Sequence, residues 1–241
     1  MVPFSSFRRV DPQTFLSEVA ALRSTDPAAA LAKVELADSA IAEDPEIRLT
    51  RADLVWEVRG ADAALPLLEE LVTDVGDYAD ARHMLGCVYE EAGREADKVE
   101  QFSEVLRLDE TTDPALDAEE YAELEDLIVS AAESGLDQLP LTFRTQLSEV
   151  PILVESRPSA DLVRQGFDPR ALGLFEGPTH LDHQNAEASE VPTRIVLYAA
   201  NLLEQSVDED QLRSEVETTV LHEVGHYFGL DENDLERMGL D

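Results

Sequence analysis

Near the C-terminus an apolar residue returns at every fourth position, as Leu212, Val216, Val220 and Val224. That spacing marks one face of an α-helix and predicts a helix with a single buried stripe. Ser206, with Glu209 three residues on, reads as its capping box, and Asp208 and Asp210 fall in the first turn. Gly229 is placed to end the helix in a left-handed conformation. Upstream, Leu116, Leu124, Leu127, Ile128 and Ala131 predict a second helix, opened by Pro114, ended by Gly135 and strongly acidic on its outer face. Between these helices the apolar run 150–154 predicts a short buried strand, and 194–199 predicts a strand near a sheet edge. The N-terminal half has a longer period. Leu85-Gly86, Tyr89, Gly93, Val99, Phe102 and Leu106 predict two helices facing each other across a turn at Gly93. A shift of about 34 residues finds Arg51-Ala52, Val55, Leu65, Leu68 and Leu71, with Trp56 beside the pattern. A second such shift finds Ala30-Leu31, Val34 and Ala37, followed by a turn at Asp44-Pro45.

Chemistry enters beside the C-terminal stripe, where the chain reads His222-Glu223-Val224-Gly225-His226. Positions i and i+4 share a helix face, so both imidazoles can reach one zinc ion at about 2.0–2.1 Å. Thr219 and Glu215 lie on the same face, the one left to look into a cleft. Glu223 projects about 100° around the axis, beside the ion, where a general base for a water would stand. The reaction class is metal-assisted hydrolysis, most often of a peptide bond. A catalytic zinc usually has three protein ligands plus water, so one more is required.

The run 222–229 resembles the metzincin spacing, in which the third ligand lies three residues after the glycine. The resemblance puts Glu232 there, a carboxylate in place of the commoner histidine and an acceptable zinc ligand. Asp234 and Asp231 are close enough to compete for the position. Over residues 115–241 the chain resembles the minimal zincin family of bacterial metallopeptidases. The matching pieces are Leu139-Pro140, the run 150–155 with Arg157-Pro158, and the runs 172–177, 192–198 and 219–230, in the family's order. That resemblance implies a small zincin-like α+β domain with zinc on the helix, and it supports the metal more firmly than any substrate. An edge strand beside such a helix can pair with an extended substrate, and the run 194–198 is the candidate. The loop 177–185 contains His180, Asp182 and His183 and reads as a polar surface loop, with a second metal site or a lid as the alternatives.

The N-terminal period resembles the tetratricopeptide (TPR) repeat, one good copy and two degenerate ones. The resemblance implies a concave surface for docking a peptide or partner protein, or a scaffold for the zinc domain. Cys87 sits in the first helix of the best copy and reads as a buried, inert thiol, and His83 as a helix-surface histidine.

Composition bounds the rest. Fifty-three acids against 18 bases give a formal charge of −35, which repels nucleic acid and anionic membrane. Attraction of basic peptides and a high-salt habitat account equally well for that excess. The single cysteine excludes an internal disulfide and a cysteine-based zinc cluster and suits a reducing compartment. The first residues lack the apolar core of a secretory signal, and no run approaches a membrane span, so a cytoplasmic location is the default expectation. The expected protein is mainly helical α+β: TPR-like repeats over 1–112, then a zincin-like domain over 113–241. The expected activity is zinc-dependent hydrolysis of a protein or peptide docked by the repeats. The alternatives are an interaction or scaffold protein whose zinc site is structural or vestigial, and zinc hydrolysis of another bond.

Overall fold

The structure, a computed structural model, describes residues 11–147, 150–177 and 193–230. It divides into two compact units, one running to Thr111 and including Val163–Gly166, the other Thr112–Leu162 with the chain from Phe167 onward.

The first unit is helical: α1 (Pro12–Arg23), α2 (Pro27–Glu35), a turn α3 (Ser39–Ala42), α4 (Pro45–Arg59), α5 (Ala61–Asp74), α6 (Ala79–Glu91) and α7 (Glu95–Thr112). Three Asp-Pro pairs start helices here. Asp11, Asp26 and Asp44 each accept a first-turn N–H, and the proline after each fills a position that needs no donor. Asp44-Pro45 therefore opens α4. Leu31, Ile47, Leu54, Leu68, Leu85 and Val88 interlock in one core. Gly86 lets α7 approach α6: a Cβ there would stand 2.3 Å from the Phe102 ring. His83 stacks on that ring at 5.6 Å and is half-buried, so it is more than a surface residue. Cys87 is also half-buried, against Phe102, Leu106 and Val163.

The second unit is α+β. Its elements are α8 (Ala118–Asp137), α9 (Leu141–Leu147), β1 (Ile152–Glu155), a turn α10 (Ala160–Val163), β2 (Gly173–Glu176), β3 (Arg194–Tyr198), α11 (Ala199–Gln205) and α12 (Glu209–Tyr227). Asp117, in a capping box with Glu120, starts α8; Pro114 lies outside it, and Leu116 is exposed. Gly135 does not end that helix. It is buried within it, and a Cβ there would meet Val220 at 3.2 Å and Glu217 Cα at 3.3 Å, so the missing side chain brings α8 against α12.

The sheet order is β1-β3-β2, with β1 parallel and β2 antiparallel to β3. The expectation that 194–198 lies at the sheet edge is therefore corrected: β3 is the central strand. Ile195, Val196, Leu197 and Tyr198 are all buried, as an unbroken apolar run requires when both faces of a strand are covered. Among the described residues β1 and β2 are the edge strands, and β2 is the one that Gly173 brings against α12. Ile195 and Leu197 meet Ile128 and Ala131 of α8 and the Leu212, Val216, Val220, Val224 stripe of α12 in one core. Among the described residues no helix is long and apolar enough to cross a membrane.

Candidate metal centre

The helix α12 is positioned at both ends. Asp208 is its N-cap, accepting from Gln211 N–H, while the Gln211 side chain accepts from Val207 N–H. Ser206 is not the cap. Its hydroxyl donates back to Leu202 at the end of α11, because the next helix begins two residues later than the capping-box spacing suggested. At the other end Gly229 takes φ +79°, with Gly229 N–H donating to His226 C=O and Leu230 N–H to Gly225 C=O. This reciprocal pair closes the helix as a Schellman motif. Phe228 packs edge-on against Phe143, and Tyr227 against Phe175. The last turn, which carries His226 one turn beyond His222, is thus tied down by backbone and by rings.

His222 and His226 face each other, with Nε2 atoms 3.0 Å apart. Two ligands bound tetrahedrally at about 2.05 Å would stand about 3.3 Å apart, so these nitrogens are already near the separation that one zinc ion requires. His226 Nδ1 lies 3.3 Å from the Leu230 carbonyl, which can only accept. With Nδ1–H as the donor in that contact, the Nε2 lone pair is left for a metal. The residues present fit a divalent ion with imidazole affinity. Glu232, Asp231 and Asp234 lie outside the described residues, as do His180, Asp182 and His183.

Glu223 is buried, and its Oε2 accepts a 2.6 Å hydrogen bond from Phe175 N–H. That donor comes from the edge of β2 turned away from β3, which has no strand partner among the described residues. Tyr198 N–H donates to Leu172 C=O, so alternation along the strand turns the amides of residues 172, 174 and 176 toward β3. Gly173 and Phe175 then present theirs outward. Gly173 also sets how close the strand comes, since a Cβ there would be 2.8 Å from Thr219 Cγ2 and 3.1 Å from Glu223 Cγ. Neither residue was singled out from the sequence for a role at the site. The available signal was a glycine inside an apolar run, which marks a close backbone approach.

The loop that leads into β2 is held by Asn201, whose side-chain amide donates to the carbonyls of Pro169 and Ala171. Asn201 Oδ1 in turn accepts from Arg157, which also bonds Asp113 and Glu204. Burial pushes the Arg157 guanidinium down, but the hydrogen bonds it donates to Asp113 and Glu204 outweigh it and hold the charge firmly on. Arg157 entered the sequence reading only as part of a resemblance; the structure shows that it ties the segment at Asp113 to α11. On β3, burial and the nearby Glu155, Glu176 and Glu223 push the Tyr198 phenol well above its ordinary range.

Helix, strand and loop enclose a cleft of about 560 Å³. His222, Glu223 and His226 line one end and Glu215, Thr218 and Thr219 the other, with Phe167, Leu172 and Leu174 opposite. The site therefore brings together His222, His226 and Glu223, with a carboxylate oriented by a backbone amide and an open groove alongside.

Residues 147–240 match a family model described as zincin-like metallopeptidase. The matched span contains the three strands, α12 and the cleft-lining residues. No curated protein matches the chain.

Proposed function

From the premise that residues 147–240 are a zincin-like metallopeptidase region, we propose that the chain hydrolyses peptide bonds with a zinc ion held by His222, His226 and Glu232, and with Glu223 as general base. The observation that carries this reading is the 3.0 Å pair of facing Nε2 atoms beside a buried carboxylate at the rim of an open cleft. When bound, zinc supplies Lewis acidity, bringing water to a pKa of about 7 and polarising a carbonyl.

The protein's own part is positional. The Leu230 carbonyl fixes the His226 tautomer, and the Phe175 amide fixes Glu223. One Glu223 oxygen is tethered, and the other is the proton acceptor for the attacking water, later returning that proton to the leaving amine. With the Phe175 amide held by Glu223, the outward amide of Gly173 is the one that can pair with an extended peptide and set its register. Apolar walls exclude bulk water from the reacting bond. Glu223→Gln keeps the hydrogen bond to Phe175 and removes the base. It should retain zinc and lose about 10²–10⁴ of kcat, measured on any peptide the parent cleaves, with metal content assayed in parallel. A variant that cleaves at the parental rate removes Glu223 from the mechanism.

The remaining assignments belong to the same reading. The domains are taken as 1–112 and 113–241. The helices of the first are proposed as a TPR-like docking surface for a protein substrate, on the strength of the helix-turn-helix pattern that places Gly86 under Phe102. The place of action is proposed as the cytoplasm, on the single cysteine.

A further inference from the structure

Seven residues before His222 on the same helix face stands Glu215, at the far end of the cleft from the histidines. Seven residues of helix rise about 10 Å, so this carboxylate lies well beyond the reach of the ion. No hydrogen bond or ion pair engages it among the described residues, although the fold pairs most of its arginines with acids. The side chain is only half exposed to solvent. The apolar residues of the cleft lining are Phe167, Ala171, Leu172 and Leu174, and among the described residues that lining contains no lysine or arginine. β2 runs alongside α12 in the same direction: Gly173 lies at Thr219 and Glu223, and Phe175 lies against Tyr227. The apolar wall is therefore a trough running from the reacting bond toward Glu215.

A trough of hydrocarbon ending in a carboxylate fits one kind of side chain, a flexible methylene stem with a cation at its tip. An aliphatic residue would fill the walls and leave Glu215 desolvated without a partner. A free terminal amine would satisfy the acid and leave the walls bare. An acidic residue would meet two carboxylates, Glu215 and Glu223, in a protein carrying a formal charge of −35.

We propose that the cleft selects a substrate lysine or arginine, with the stem on Phe167 and Leu172 and the cation on Glu215; this specificity rests on reading the centre as a peptidase. About 10 Å corresponds to three residues of extended chain, so the basic residue sits one or two residues from the scissile bond with its side chain lying along the trough.

The test uses the full zinc-loaded chain and two readouts. Labelled peptides differing only in lysine against norleucine, moved position by position, are bound to the Glu223→Gln protein by fluorescence anisotropy and offered to the parent for cleavage. At one position lysine should bind at least tenfold tighter than norleucine, with the ratio narrowing as salt rises. Glu215→Gln should bring that ratio close to one, and Glu215→Lys should reverse it in favour of a glutamate peptide. A ratio near one at every position in the protein with Glu215 intact overturns the proposal. So does a lysine preference that survives Glu215→Gln. Cationic selection in binding, with no peptide cleaved, upholds the trough and instead sinks the peptidase reading.

Discussion

Glu223 and Gly173 show how closely one residue's chemistry depends on another's absence of a side chain. The carboxylate is held on the Phe175 amide only because β2 comes within contact distance of α12, and it comes that close because position 173 has no Cβ. Gly173→Ala should press on Thr219 and on Glu223 itself, costing about 1–3 kcal/mol of stability by overpacking. Activity should fall more than tenfold, since the base and the strand move together. Adding Thr219→Ser removes the methyl in the way and should recover part of both losses, seen in denaturant midpoints and in kcat. If Gly173→Ala behaves like the parent, the strand is not positioned as described. At this scale the sequence was informative for groups whose role depends on local spacing. His222 and His226 are set one turn apart with Glu223 beside the first, and the helix alone brings them together. Phe175 acts through a backbone N–H, to which its side-chain identity is blind. Glu232, assigned by resemblance, lies beyond the described residues.

Among the elements, α12 was readable nearly whole: its stripe, its acidic first turn and its terminating glycine depend on contacts within a few residues. The cap was displaced from Ser206 to Asp208 because the two stand only two positions apart and the path of the preceding helix decides between them. Strand order was not readable. The run 194–199 was read as lying near an edge, yet residues 195–198 are all buried, and β1 and β2 flank β3 on either side. Arg157 belongs to this scale too, because it joins elements. Its side chain is 3% exposed and its partners lie 44 and 47 residues away, separations to which no sequence window is sensitive. Arg157→Met should cost about 3 kcal/mol, the lower end for breaking a buried ion pair, because Asp113 and Glu204 can partly rehydrate. Chemical denaturation followed by far-UV circular dichroism measures it. A loss below about 1 kcal/mol would mean that the guanidinium is not holding these segments.

For the molecule as a whole, composition and periodicity pointed to a mainly helical chain and the resemblance implied an α+β domain, and the structure has that character. Helix content was legible because Ala, Leu and Glu repeat with helical spacing. The three-stranded sheet was half legible because two of its strands are short apolar runs and the third contains a glycine. The net charge of −35 says nothing about fold, but it gives the Glu215 end of the cleft a field of the same sign as the rest of the surface. Every functional statement comes back to a metal on α12. The most direct measurement is isothermal titration of zinc into chelator-stripped protein, run beside a variant with both His222→Ala and His226→Ala. One equivalent should bind the parent at micromolar concentration or tighter, and none should bind the variant at that strength. Failure of the parent to take up the ion, or equal uptake by the variant, would contradict the account at its centre.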